Sequence, residues 1–431
     1  MSATGRTIGP ETILSAITDE QAAIENLLEE LVAAPTLLGQ EQPGQAIMRA
    51  AFSDLGLEPR DVALDSQALR EHPGAAPFSW ELSGKANVIA RWGPPESRGG
   101  RSLILNGHID VVSPEPIDMW SSPPFVARRE GVWLYGRGAG DMKCGLAAMV
   151  GAVRGLRRLG LEPLAPIELQ SVVEEECSGN GAVQCVIDGQ PADAVIVTEP
   201  TSLAIMNSQV GVLWFQVVVR GQPAHAGSAP ARRNAIEASF PLISALRELE
   251  MELNEVRPAP YDVYDRPINL NVGIIRGGDW PSTVAAECVL HCRLALYPGT
   301  HVDDLRSEVE EQVARAAGEL DGFDVTVRYD GFGCEGYTLD RAAPLIGELG
   351  DACEEATGVR PGLFASTATT DARTFQLFGG SPAVCFGPHA EAVHSVDERV
   401  YLPSVLHTAQ ALALFIGEWC GLEPADSYPA S

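Results

Sequence analysis

Imidazoles and carboxylates recur where apolar runs end in this 431-residue chain. "LILNGHIDVV" carries His108 and Asp110, "GRGAGDMKCG" carries Asp141, and "SVVEEECSGNG" carries Glu174, Glu175 and Glu176 in a row. "VIVTEPT" carries Glu199, and "FGPHAEAVHSVDE" carries His389 and His394. Hard oxygen donors mixed with imidazole suit zinc, cobalt or manganese. Each stretch alone has a plainer explanation: Asp141 could cap a helix, and a glutamate triplet is commonly a solvated run. Their joint placement points instead to a metal-assisted site, because like charges at a buried strand end are costly unless something neutralises them. On an extended strand His108 and Asp110 share a face, so the Asp110 carboxylate is expected to fix the imidazole tautomer.

The elements that must position these residues alternate. Strands are predicted at 86–92, 102–112, 166–173 and 193–200, with helices at 11–34 and 144–160. That is the pattern of an α/β sheet covered by helices, whose sites lie beyond the carboxyl ends of the strands. From Gly211 the character changes. "VLWFQVVVRG" and "INLNVGIIRGG" bracket a helical stretch, and "ECVLHCRLALYPG", a second helical stretch and "DVTVRYDG" follow. This makes a compact α+β unit of about 110 residues, large enough to be its own domain. The first pattern then resumes. The expected organisation is a catalytic domain in two parts, 1–209 and 328–431, around an inserted domain at 210–327.

The charge balance narrows the partners. The 58 acidic residues against 30 basic ones give a formal charge of -28, which opposes binding to nucleic acid or to anionic lipid. No apolar run approaches the roughly 20 residues needed to cross a bilayer, and the first residues lack a secretory pattern. The nine cysteines are scattered singly with no C-x-x-C, which argues against disulfides and thiolate metal sites. A cytoplasmic enzyme is expected, with Cys144 and Cys177 as small fillers beside the site.

The order GHIDVV, GRGAGDMKCGLAAM, EEECSGNGA, TEPT, GQPAHAG and a histidine shortly before SVDE resembles the co-catalytic zinc amidohydrolase family. That family includes acetylornithine deacetylase, succinyl-diaminopimelate desuccinylase, the aminoacylases and a glutamate carboxypeptidase. The resemblance runs from Ala86 to Glu398. It implies a mixed sheet flanked by helices and an inserted ferredoxin-like domain that serves as lid and dimerisation surface. It implies two divalent ions, zinc first, or cobalt or manganese. His108 and Glu199 would bind one ion, Glu176 and His394 the other, and Asp141 both; Asp110 would support His108. His394 is preferred to His389 because its spacing from Gly387 and Pro388 and to Glu398 fits better. Glu175 matches the general base, and Glu174 is left without a role, so its removal is expected to cost little. His225 matches a histidine that reaches the partner subunit's active site, which implies a homodimer through the inserted domain. Asn271 and Arg293 match residues that bind a substrate carboxylate. In "STATTDAR", Ala368 and Thr369 stand where many members have paired glycines, a departure that bears on the shape of the substrate pocket.

The activity implied is hydrolysis of a small N-acylated amine or N-acyl amino acid. A dipeptide, or a formylated or heteroaromatic amine, is the alternative. The segment "ALREHPGAAPFSWELSGKANVIARW" resembles longer members that include a formylaminopyrimidine deformylase. A metal-binding scaffold without catalysis fits poorly with five ligands and a base all in place.

Overall fold

The computed structural model describes residues 8–227 and 233–425. Its larger layer is a nine-stranded mixed sheet in the order Arg60–Ala63, Ala86–Trp92, Ile167–Val172, Leu103–His108, Ala194–Val197, Ala383–Cys385, Ile205–Gln209 and Tyr337–Thr338, with Leu363–Ser366 also paired to Ile205–Gln209. The four strands from Ile167–Val172 to Ala383–Cys385 run parallel, and the strands outside them turn antiparallel. Parallel strands covered on both faces read as unbroken apolar runs. All four residues of Ala194–Val197 are buried, as are all six of Leu103–His108.

One face packs against helices Pro10–Asp19, Gln21–Ala33, Lys143–Arg158, Pro344–Thr357 and Leu402–Cys420 in a single apolar core. On the other face lies Asn180–Asp188, whose Cys185 meets Val62, Ile89 and Val172. The single helix predicted over 11–34 is two, divided at Glu20, whose carboxylate is buried against Arg158. Lys143, fully buried, donates to the carbonyls of Leu31 and Ala34 (2.8 Å each). It thereby satisfies the orphan acceptors at the end of Gln21–Ala33. Gly145 is required where Lys143–Arg158 crosses the sheet, since a Cβ there would stand 1.9 Å from the Thr198 carbonyl oxygen.

A second, antiparallel sheet has the order Leu270–Gly277, Glu287–Leu296, Gly211–Arg220 and Asp324–Arg328, with Gly333–Cys334 also paired to Gly211–Arg220. Strand alternation decides its two faces. Leu213, Phe215, Val217 and Val219, with Cys288, Leu290, Cys292 and Leu294, pack on helices Ala235–Leu253 and Val302–Ala317. Trp214, Gln216, His291 and Arg293 point the other way, into a cavity.

A four-stranded sheet of Arg128–Glu130, Trp133–Tyr135, Ala390–Glu391 and Arg399–Tyr401 was not foreseen. Strands of two or three residues carry too few side chains to show a period. This small sheet holds the loop that carries His394. Among the described residues no helix is long and apolar enough to cross a membrane.

Candidate metal centre and substrate cavity

The ionisable residues converge at the carboxyl ends of the parallel strands. His108 ends Leu103–His108, the glutamate triplet follows Ile167–Val172, and Glu199 follows Ala194–Val197. Asp141 does not cap Lys143–Arg158, which has no side-chain cap. Its two oxygens instead face two histidines, with Oδ1 3.2 Å from His108 Nε2 and Oδ2 3.2 Å from His394 Nε2. Glu199 Oε1 lies 3.9 Å from His108 Nε2, and Glu176 Oε2 lies 3.1 Å from His394 Nε2. Two triads result, His108–Asp141–Glu199 and Asp141–Glu176–His394, and within each the donor atoms lie within 4.8 Å of one another. The first is deep, with His108 and Glu199 buried, and the second opens outward through the exposed His394.

Glu175 and Glu176 diverge as neighbours in a tight turn can. Glu175 Oε2 lies 3.9 Å from His108 Nε2, whereas Glu176 turns to His394. Asp110 holds this turn in a way the strand periodicity does not foretell. Its carboxylate oxygens accept the backbone N–H groups of Glu175 (3.2 Å) and Glu176 (3.0 Å). The ring nitrogen Nδ1 of His108 bonds the Asp110 backbone carbonyl at 2.9 Å, and the carboxylate stands 3.8 Å away. The expected carboxylate–imidazole pair is thus replaced by a carbonyl–imidazole pair, because the chain bends after His108 and the carboxylate serves the neighbouring turn. A second supporting carboxylate escaped the sequence reading. Glu398, fully buried, pairs with Arg137 and accepts the N–H groups of Gly140 (2.8 Å) and Asp141 (2.9 Å). The acid lies four residues after His394, and that was its only signal.

Glu174 overturns its expectation. It is fully buried, with φ +66°. Its carboxylate accepts from Trp80 Nε1 (2.7 Å), Lys85 Nζ (2.7 Å) and Ser178 Oγ (2.8 Å), and Lys85 also donates to Glu41 (2.9 Å). A buried charge fixed by three donors is structural, and removing it leaves Lys85 and its neighbours short of a partner.

The electrostatics call for positive charge. Burial of His108, and the partial desolvation that the outward-facing His394 still undergoes, oppose protonation, yet the surrounding carboxylates outweigh this and raise both, His394 to about 11. Burial pushes Glu175 and Glu199 well above the usual carboxylate range, and Asp110 up to about 7 despite His108. So many buried acids around two imidazoles fit a pair of divalent cations, which invert this balance when bound. Burial also pushes the Cys144 and Cys177 thiols well up, so both remain protonated fillers. His389 lies outside both triads. Its Nδ1 pairs with Ser202 Oγ at 2.8 Å and its ring packs on Trp133 and Tyr401.

Beside the outer triad lies a cavity of about 550 Å³, within the span typical of small-molecule sites. Glu175, Glu176 and His394 form one end, and Asn271 and Arg293, directly paired across two strands, lie in another wall. Arg293 donates to Asn269 Oδ1 (2.6 Å) and the Thr367 carbonyl (3.2 Å), and no carboxylate pairs with it among the described residues. Ala368 and Thr369 line the same cavity. Thr369 Oγ1 accepts from Gln209 Nε2 at 3.0 Å. His225 does not line it; it is exposed and bridges to Thr283.

The sequence pattern of peptidase family M20/M25/M40 matches residues 104–418, a span that holds both triads. The chain belongs to peptidase family M20/M25/M40. An N-formyl-4-amino-5-aminomethyl-2-methylpyrimidine deformylase of Halalkalibacterium halodurans is 31% identical, covering 79% of this chain and 84% of that protein. A succinyl-diaminopimelate desuccinylase of Paracoccus denitrificans is 29% identical over 78% of this chain and 88% of its own. Among solved structures, the dipeptidase Dug1p of Saccharomyces cerevisiae superposes with a TM-score of 0.81 at 13% identity, covering 96% of this chain and 98% of that one. At that identity the likeness shows the fold alone. Like its family, the chain is a metal-dependent amidohydrolase.

Proposed function

We propose that the chain hydrolyses the amide of a small N-acylated amine or N-acyl amino acid, with Glu175 as general acid–base and the two triads as a paired metal site. The sharing of Asp141 by both triads carries this reading. His108 and Glu199 would hold one ion, Glu176 and His394 the other, and Asp141 both; zinc is the first candidate, with cobalt or manganese next. Paired divalent ions supply the charge that acidifies water and stabilises the oxyanion of a tetrahedral intermediate.

The protein's own groups do the rest. Glu175, directed at the centre and raised by burial, takes the proton from the attacking water and delivers it to the leaving nitrogen. Asp110 keeps the Glu175–Glu176 turn in place through two backbone N–H groups, and Glu398 does the same for Asp141. Arg293 and Asn271 beside it would receive a substrate carboxylate, a reading supported by the neutral partners of the guanidinium among the described residues. A formylated ring amine is the second reading, favoured by the aromatic side chains in the cavity wall.

We further infer a homodimer through the inserted unit at 210–327. Leu270–Gly277 is an edge strand of its sheet, with Ile274 and Ile275 exposed, and Phe240 is exposed on the adjoining helix. Unpaired strand edges of this kind invite a second copy. His225, outside its own cavity, fits a residue that acts in the partner's site. All nine cysteines are buried and unpaired, which supports the cytoplasm as the compartment.

The test is a screen of protein stripped with chelator and reloaded with zinc, cobalt or manganese, using N-acetyl, N-succinyl and N-formyl amines and amino acids alongside dipeptides. Metal-dependent release of an acyl group is expected. No hydrolysis of any compound with any metal overturns the reading.

A further inference from the structure

The cavity also holds an aromatic corner, beside Arg293, that binding of a carboxylate does not explain. Trp214 and Phe332 meet edge to face, with centroids 5.2 Å apart and planes at 80°. Phe332 is nearly buried, and the guanidinium of the buried Arg373 lies 5.5 Å from its centroid, which fixes the ring. Trp214 is only half buried, and it stands on the cavity face of a strand whose alternate residues fill the core. Gly331 makes the corner possible. At φ +85°, a Cβ there would lie 2.6 Å from the indole and 3.0 Å from the Cys177 carbonyl. The aromatic corner is therefore seated against the residue that follows Glu176.

Asp330 lines the cavity beside this corner. One oxygen accepts from Ser79 Oγ at 2.6 Å, and no cation pairs with the carboxylate among the described residues. His291 lines the same cavity, and burial and Arg276 hold its imidazole low against the pull of Asp330. Arg293, on the strand that pairs with Trp214, faces neutral partners. The cavity wall thus carries Arg293 directly opposite Trp214 across two paired strands, and Asp330 is a carboxylate with no cation paired to it among the described residues, two positions before Phe332.

We propose that Trp214, Phe332 and Asp330 form a subsite for an aromatic ring bearing an amino group, in the part of the substrate beyond the scissile amide. The rings offer edge and face contacts to a flat apolar body, and the carboxylate accepts from the amino group. Because the inference rests on the amidohydrolase reading above, its test must separate the two.

The experiment measures kcat and KM of the metal-loaded enzyme on three formamides. They are N-formyl-4-amino-5-aminomethyl-2-methylpyrimidine, its analogue lacking the ring amino group, and N-formylcyclohexylmethylamine. An N-succinyl amino acid with a free ammonium and carboxylate is the aliphatic comparison. A site built to accept from an amino group rejects the analogue lacking it. The aminated ring is expected to exceed its analogue in kcat/KM by roughly 10- to 100-fold, mainly through KM. Asp330→Asn should shrink that ratio to about threefold or less. Trp214→Leu should erode the preference for a ring over cyclohexyl, and Trp214→Phe should restore part of it. An unchanged ratio in Asp330→Asn overturns the subsite, as does a preference for the aliphatic comparison that disappears in the same variant. Should wild type cleave none of these compounds nor any dipeptide, the amidohydrolase reading itself fails. Cleavage of acyl amino acids without ring preference overturns the subsite alone.

Discussion

Three consecutive glutamates take three different directions, and each meets a different environment. Glu176 joins the outer triad, Glu175 faces His108, and Glu174 is locked beneath them by Trp80, Lys85 and Ser178. Glu175→Gln keeps the shape but cannot carry a proton, so kcat should fall by about 10²- to 10⁴-fold or more. Metal content by elemental analysis should stay near that of wild type, and loss of both ions would refute the assignment. Glu174→Ala removes one partner of a buried pair, a change that typically costs about 3–5 kcal/mol. Urea denaturation should show a cost of that order, with a smaller one for Glu174→Gln, which keeps the volume and an acceptor. Unchanged stability in Glu174→Ala would return this residue to the idle status its sequence suggested.

At the scale of elements, the centre is assembled from strand ends and loops, and two of these are fastened by a carboxylate outside both triads. Asp110 fastens the turn after Ile167–Val172, and Glu398 fastens the loop that carries Asp141. Supporting groups of this kind commonly contribute 10- to 100-fold to metal affinity. Asp110→Asn presents an amide N–H to a backbone N–H and so loses one of the two bonds. Its affinity for zinc, read by chelator competition, is expected to fall by about 10- to 100-fold. An affinity equal to wild type would show that the turn holds itself. The left-handed backbone at Glu174 (φ +66°) and His394 (φ +59°) belongs to the same pattern, since strained conformations persist where surrounding contacts over-determine them.

The whole molecule places one open sheet face across from the metal centre and leaves an edge strand available. Sedimentation of wild type is expected to give a dimer. Ile275→Lys combined with Phe240→Glu, which puts charge on the edge strand and its neighbouring helix, should give a monomer. A monomeric wild type, or a double variant that stays dimeric, would dismiss this interface. The chain's charge of -28 acts at the same scale. Beyond the cavity it repels anions, so an anionic substrate is attracted by Arg293 only over a distance of about 10 Å at ordinary salt.

Periodicity and motif order made the parallel strands, most helices and the strand-ending acids and histidines legible, because each depends on a short stretch of chain. Ala86–Trp92 falls where predicted to the residue, and Leu103–His108 and Ile167–Val172 lie within their predicted bounds. Which oxygen serves which neighbour depended on contacts between distant segments. Asp110 reaches residues 65 and 66 positions away, Glu398 reaches back to Asp141 across 257, and Lys85 reaches Glu174 across 89. The sequence by itself therefore determined the family, the chemistry and the donors' types, since residue type and local spacing are written in it. Only the tertiary structure decided that Glu174 is buried, that Asp110 holds the imidazole by its carbonyl and a turn by its carboxylate, and that Trp214, Phe332 and Asp330 line one cavity. Those outcomes depend on packing, which brings together groups that no local pattern connects.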